Sequence, residues 1–189
     1  MPENDLVRIL VHDYCGHPFG VQLSRQLAKR GYQVLHIYSS SFQTPKGTLI
    51  KQDLDPDSFN VQGISLGGEF HKYNLFKRQR QEIEYGRLLA EKVLAFGPDA
   101  VISANTPLDA QKALLQACKN SQIRFIFWLQ DIISVAISRI LRKRFLGLGA
   151  LIGTYYKRLE RKLLHQSNYI VAITEDFRPI LTGWISSRP

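Results

Sequence analysis

VRILVHDYCGHPFGVQLSRQLAKRGYQVLHIY, residues 7–38, changes its hydrophobic period twice and decides the fold. Arg8 to His12 form a short run with apolar residues in continuous succession, as expected of a strand buried on both faces. A turn, Asp13 to Pro18, follows and contains Gly16. Val21, Leu23, Leu27 and Ala28 then recur at roughly helical spacing, leaving Arg25, Lys29 and Arg30 for the wet face. Gly31 stands where a helix wants a left-handed C′ residue, and Val34 to Tyr38 begin a second strand. The stretch is a βαβ unit. Its first turn points at the carboxyl edge of a parallel sheet, where such folds bind ligands.

Composition bounds what this unit belongs to. A chain of 189 residues, 44% hydrophobic, can bury a real core and predicts one domain, residues 1–189. The formal net charge of +9 calls for a negatively charged partner or surface. Cys15 and Cys118 lie far apart, and no signal-peptide pattern opens the chain. A reduced cytoplasmic setting without a disulfide is the expectation. No apolar run reaches the roughly 18 residues of a membrane span.

Beyond the opening unit, Ser39 to Gly47 is a small, polar loop on the same edge as the Gly16 turn. Phe59 to Leu66 alternates and reads as a third strand, ended by Gly67-Gly68. Ile83, Leu88, Leu89, Val93, Leu94 and Phe96 predict a long helix stopped by Gly97-Pro98. Ala100–Ser103 predicts a fourth strand, Asp109–Asn120 a helix, Phe125–Leu129 a fifth strand and Tyr169–Ile173 a sixth. A short helix then starts at Thr174. Strands alternating with helices throughout predict an α/β, Rossmann-like, doubly wound and mostly parallel sheet of six or seven strands.

The polar residues collect at strand ends: His12 and Asp13 after the first, Asn105 and Thr106 after the fourth, Gln130 and Asp131 after the fifth, Thr174 and Glu175 after the sixth. In an open parallel sheet these turns share one rim. Loops are polar in any case, so a solvated turn is the competing reading for each. Gly16 and Gly20 frame a helix N-terminus suited to an anion such as a diphosphate, but no dinucleotide or P-loop signature is present. Glycines for a tight turn ahead of Pro18 explain them equally well. Asp131 is the leading candidate for acid–base work, because an apolar strand containing Trp128 puts it at the boundary of a low-dielectric core. His12 and His17 follow it, each against the reading of a hydrogen-bonded structural histidine. The cysteines have no metal-ligand spacing with the histidines, so no metal site is expected.

Residues 138–166 carry eight cations, Arg139, Arg142, Lys143, Arg144, Lys157, Arg158, Arg161 and Lys162, against one acid, Glu160. Phe145, Leu146, Leu148, Leu151, Ile152, Tyr155 and Tyr156 are interleaved with them. That mixture favours an interfacial segment on anionic lipid over a solvated helix face packed on the core, and over a nucleic-acid surface. Gly147, Gly149 and Gly153 predict two helical pieces or one weakened helix.

The words HDYCGHPFGVQLSRQLAKRGYQVLHIYSSSFQTPKG, SANTPLDAQ, FWLQDI and YYKRLERKLLHQSNYIVAITEDF together resemble the amino-terminal half of bacterial family 4 glycosyltransferases of the GT-B fold, with the colanic-acid and exopolysaccharide type nearest. The resemblance implies retaining transfer from a nucleotide-sugar, as substrate and without a further cofactor, to a lipid-linked saccharide. It implies a peripheral location at the inner face of the plasma membrane. It also implies an acceptor-side domain in which Cys15, Gly16 and His17 approach the donor diphosphate and Asp131 lies near the acceptor hydroxyl. Thr174 and Glu175 would line the same cleft, joining His12, Asp13, His17, Asn105 and Thr106 there. Enzymes of that kind are about twice as long and carry the E-x7-E carboxylates in a second domain. The expectation is therefore a chain cut before that domain, or one whose other half is a separate polypeptide, and inactive alone. A non-catalytic membrane-surface binding module descended from such an enzyme is the alternative. A Rossmann-type oxidoreductase is disfavoured, since His36 to Ser39 stand where an acid would end the second strand.

Overall fold

A computed structural model describes residues 6–42, 44–67, 74–144 and 147–185, without the side chains of residues 75 and 142–144. Among the described residues, six strands form one parallel sheet: β1 (Arg8–Asp13), β2 (Gln33–Ser39), β3 (Phe59–Ile64), β4 (Ala100–Ala104), β5 (Arg124–Leu129) and β6 (Tyr169–Ala172). Their order is β3-β2-β1-β4-β5-β6, reversing at β1 and β4. That reversal is the switch point of a doubly wound sheet and opens a crevice between the β1 and β4 loops.

The helices are α1 (Pro18–Lys29), α2 (Leu75–Phe96), α3 (Leu108–Asn120), α4 (Ile133–Arg144), α5 (Leu148–Gln166) and α6 (Arg178–Ile185). One sheet face carries the larger core, where Leu10, Leu35, Ile37, Val101, Phe125, Phe127 and Leu129 meet Tyr85 and Leu89 of α2, Leu114 and Cys118 of α3, and Leu163 and Leu164 of α5. The other face packs Val11, Val34 and Phe59 against Val21 and Ala28 of α1. Right-handed crossovers put α1 on one side of β1 and the later helices on the opposite side, because the winding direction reverses at β1.

The strand and helix expectations hold in order, with shifts at the ends. β3 stops at Ile64 rather than Leu66, and β6 at Ala172 rather than Ile173. The basic stretch is two helices, broken where Gly147 takes φ 28°. Gly149 and Gly153 are buried, and a Cβ on Gly153 would lie 2.8 Å from Ser138 Oγ. Those glycines therefore let α5 lie close against α4. The connection from β2 to β3 contains no helix among its described residues, 40–42 and 44–58. It is held instead by Arg25 of α1, whose Nε donates to both Asp55 carboxylate oxygens at 2.8 and 3.0 Å and whose Nη2 donates to the Thr48 and Ile50 carbonyls.

A glycine pair tests this packing. A Cβ on Gly86 of α2 would come within 2.7 Å of the Ala110 Cα of α3, whereas one on Gly183 of α6 meets nothing within 4 Å. Gly86→Val should destabilise by about 1–3 kcal/mol, and Gly183→Ala should gain roughly 0.5–1 kcal/mol. Urea unfolding of the two variants should give midpoint shifts of opposite sign.

Candidate functional site

The site grows from the end of β1. Residues alternate across a strand, so His12 and Asp13 must face opposite sides of the sheet. His12 is fully buried on the large-core side. Its Nδ1 lies 3.1 Å from Ser103 Oγ and 3.0 Å from Thr106 Oγ1, and its Nε2 lies 3.0 Å from the Tyr85 hydroxyl. Ser103 donates its proton to Gln111 Oε1 and Thr106 donates its own to the Ala104 carbonyl. Both hydroxyls are thus acceptors towards His12, which donates from Nδ1 and accepts from Tyr85 at Nε2. Burial, with His36 a smaller cause, lowers the His12 pKa to about 3. This histidine is a neutral tie between β1, β4 and α2. The expectation that His12 and Thr106 line a cleft is corrected: both are buried, with every polar atom engaged inside the core.

Asp13, also buried, faces the α1 side. Its Oδ1 accepts from the Cys15 N–H at 3.1 Å and from Asn105 Nδ2 at 3.2 Å, and its Oδ2 accepts from the His17 N–H at 2.8 Å. The Gly16 N–H turns back to the Asp13 carbonyl at 3.0 Å. The amides that would greet a diphosphate in this turn are therefore engaged by Asp13, whose carboxylate occupies the anion position at the start of α1. Burial raises the Asp13 pKa, and the bonds from Asn105, His17 and Cys15 oppose the shift. Gly20 is required here, because a Cβ would stand 2.7 Å from Asp13 Oδ2.

The turn has a roof that periodicity does not reveal. Thr44 Oγ1 donates to the Cys15 carbonyl at 2.7 Å, and the Gly47 N–H donates to the Gly16 carbonyl at 2.9 Å. Lys46 Nζ donates to the Ser39 carbonyl at 2.6 Å and lies over the Tyr38 ring. Gly16, at φ 72°, has Leu49 Cδ1 2.8 Å from its Cβ position. Cys15 is half-buried beneath this loop, and burial followed by the Asp13 charge pushes its thiol up to about 12, which keeps it protonated and unreactive. The ligand atoms of Asp13, Cys15 and His17 lie within 4.8 Å of one another, a cluster that sequence spacing missed because the turn folds back on itself. Asp13 already accepts three N–H donors there.

On the open side of the turn, the His17 ring stacks on Phe19 at 5.3 Å, and Phe19 meets Trp128 of β5 edge-on at 5.6 Å. Asn105, at φ 50°, holds a left-handed conformation that asparagine tolerates better than most side chains. These contacts join the ends of β1, β4 and β5 on one rim. Asp131 is not at a low-dielectric boundary as expected: it is exposed in the turn before α4. That turn is fixed by Glu160, which is buried in α5 and accepts from the Ile133 and Ser134 N–H groups at 2.9 and 3.1 Å. In the sequence Glu160 registers only as the lone acid of a basic run. Its place beside Leu159 and Leu163, on the buried stripe of α5, was the available signal. Thr174 and Glu175 lie further along the rim, beside a depression of about 310 Å³ that also involves Arg178 and Leu181. Glu175 pairs with Arg178 at the surface.

Of the cationic residues, Arg139, Lys157, Arg158, Arg161 and Lys162 are exposed, and Arg161 Nε donates to the Trp184 carbonyl at 3.1 Å. The side chains of Arg142, Lys143 and Arg144, and Phe145 itself, lie outside the described residues. No helix among the described residues is long and apolar enough to cross a membrane.

Sheet order and rim are those of a Rossmann-like α/β domain. The family model for Glycosyltransferase Family 4 matches residues 20–186, and the chain belongs to that family. Among solved structures it is similar to UGT89C1 of Arabidopsis thaliana, with 14% identity and a TM-score of 0.53 over 96% of this chain and 46% of that one. The same protein complexed with quercetin matches with a TM-score of 0.51 at 14% identity, over 96% of this chain and 47% of that chain. At that identity the likeness shows the fold alone, and this chain spans a little under half the length of those structures. No curated protein matches it.

The buried histidines give the site a pH signature. His12 has a folded pKa of about 3 against an ordinary 6.5, and burial with Arg25 brings His36 down to about 4. Between those values the unfolded chain binds protons that the folded chain refuses, so stability falls as pH drops below 6.5. Each histidine can contribute a slope of up to about 1.4 kcal/mol per pH unit in that window. Urea unfolding at a series of pH values should show the fall, and His12→Gln should flatten part of it.

Proposed function

We propose that this chain is the acceptor-side half of a glycosyltransferase that moves a sugar from a nucleotide-sugar to a lipid-linked or polysaccharide acceptor of the exopolysaccharide type. The single observation that carries the reading is membership of Glycosyltransferase Family 4 across residues 20–186, with a rim whose polar residues converge at the β1–β4 switch point. Asp131 is assigned to the acceptor hydroxyl, since it is exposed at that rim. His17, Asn105, Thr174 and Glu175 are assigned to the walls of the same cleft.

The chain works in this reading against a second Rossmann-like body, in the same or another polypeptide. Two features support it. The similar structures are about twice as long, this chain covering 46% and 47% of them. The α1-side face of β6 is also exposed among the described residues, with Tyr169 at 63% and Val171 at 50%. Parallel sheets are ordinarily covered on both faces.

A non-catalytic binding module is the second reading, favoured by one observation: the first-turn amides are already committed to Asp13. One assay separates the two. With a complete second half supplied, transfer of labelled sugar to a lipid-linked saccharide should appear, and Asp131→Asn should remove most of it while leaving the fold intact. No transfer by the paired protein would favour the module, and unimpaired transfer by the variant would remove Asp131 from the chemistry.

The membrane assignment rests on α4 and α5, where exposed Arg139, Lys157, Arg158 and Lys162 accompany exposed Ile140, Leu148, Leu151 and Tyr155. Leu148, Leu151 and Tyr155 recur at helical spacing, so they form one apolar stripe on α5. Each cation near an anionic leaflet contributes on the order of 1 kcal/mol, screened over roughly 8–10 Å at moderate salt. Liposome sedimentation should give binding to anionic vesicles that weakens with salt and with Arg142, Lys143 and Arg144 changed to Gln. Equal binding to neutral vesicles would reduce the run to a solvated face.

A further inference from the structure

We propose that Asn105 is a positioning residue that fixes the tautomer of His17, so that His17 offers a hydrogen-bond donor, and not a proton-accepting nitrogen, to whatever binds at the rim. The argument starts from one amide group. Asn105 Nδ2 lies 3.2 Å from Asp13 Oδ1 and 3.2 Å from His17 Nδ1. Both neighbours see the same end of the side chain. Asp13 accepts the Cys15 N–H on Oδ1 and the His17 N–H on Oδ2, and backbone donors on both oxygens favour the ionised acceptor. The amide end facing it is therefore NH2, since an oxygen there would oppose Asp13 Oδ1 lone pair to lone pair. An NH2 has two protons, and the second is directed at His17 Nδ1. In a neutral imidazole that makes Nδ1 the unprotonated nitrogen and leaves the proton on Nε2.

The direct alternative is absent. His17 Nδ1 is 3.9 Å from Asp13 Oδ1, beyond hydrogen-bond range, because the Asn105 amide joins them instead. In a histidine–aspartate pair that touches, the carboxylate holds Nδ1–H and leaves Nε2 free to accept a proton. Inserting an amide that donates in both directions inverts this outcome. No hydrogen bond to Nε2 occurs among the described residues, and the side chain is 30% exposed, so the N–H is available to a ligand. The Phe19 ring stacks on the face of the imidazole at 5.3 Å and leaves its nitrogen edge uncovered. Asn105 holds φ 50° to place its amide, which accounts for asparagine at a backbone position most residues avoid. A donor of this kind suits an oxygen carrying or developing negative charge. Only that last statement rests on the glycosyltransferase reading; the tautomer does not.

Long-range 1H–15N correlation spectra of the full chain, recorded above about pH 8 so that exposed histidines are neutral, read the tautomer directly. The His17 signals are assigned by their loss in His17→Gln. The expected result is a pyridine-type Nδ1 and a pyrrole-type Nε2. A pyrrole-type Nδ1 in the wild type overturns the proposal without bearing on glycosyl transfer. Asn105→Asp replaces the donor by an acceptor and should convert Nδ1 to the pyrrole type. Asn105→Gly, which is free of strain at this φ, should leave Nδ1 pyridine-type but shift it towards an unbonded position. If both variants fold, by their thermal melts, and leave the His17 signals unmoved, Asn105 has no positioning role. In the paired enzyme, His17→Gln keeps a side-chain N–H donor and should retain far more transfer than His17→Ala. Equal loss in the two would assign His17 to proton abstraction instead.

Discussion

One buried carboxylate organises the working end of this domain. Asp13 sits at the last position of β1, takes no direct cationic partner within hydrogen-bond range, and is held by three N–H groups from the following turn and from the β4 loop. Leaving a charge of this kind without donors would cost several kcal/mol, so the turn geometry and the carboxylate are mutually determined. Gly20 has no side chain because Asp13 fills the space, and Asn105 accepts a left-handed backbone because its amide must reach Asp13. The first turn is therefore closed upon itself before any ligand arrives.

That closure explains the division of labour between two adjacent residues. His12 and Asp13 were read together as polar residues following a strand. Strand alternation sends one to each face, and the environments differ completely. His12 joins Ser103, Thr106 and Tyr85 inside the larger core, while Asp13 turns towards α1 and the rim. The histidine of this turn that remains accessible is His17, four residues on from Asp13 and at the helix entry.

The opening βαβ unit, the fifth strand and the split basic segment were legible because each rests on local periodicity or on a glycine at a required position. The long β2–β3 connection was legible only as a polar loop. Its placement over the first turn depends on Arg25 reaching Asp55, Thr48 and Ile50, and on Thr44 reaching Cys15, contacts between residues well separated in sequence. Asp131 was misjudged for a related reason. Trp128 and Leu129 do approach the sheet's interior, but the chain leaves the core within the next residues, and the buried acid of that neighbourhood is Glu160 on a different helix. The pattern that identified α5 as basic concealed the one residue on it that anchors the next loop's geometry.

The layering of the sheet carries the same logic to the scale of the domain. β5 and β6 are reached by crossovers on the large-core side, so every helix that winds around them lies there. On their other face Phe19 meets Trp128 edge-on, and beyond it Tyr169 and Val171 stand in register with β5. The chain thus leaves the α1-side residues of β6 apolar and exposed. Tyr169 and Val171, two large apolar residues on alternate positions of one strand, are a poor solvent face, and a right-handed winding cannot bring α1, fixed over β1 and β2, across to cover them. The exposed strip of β6 is thus a consequence of the winding direction of the sheet.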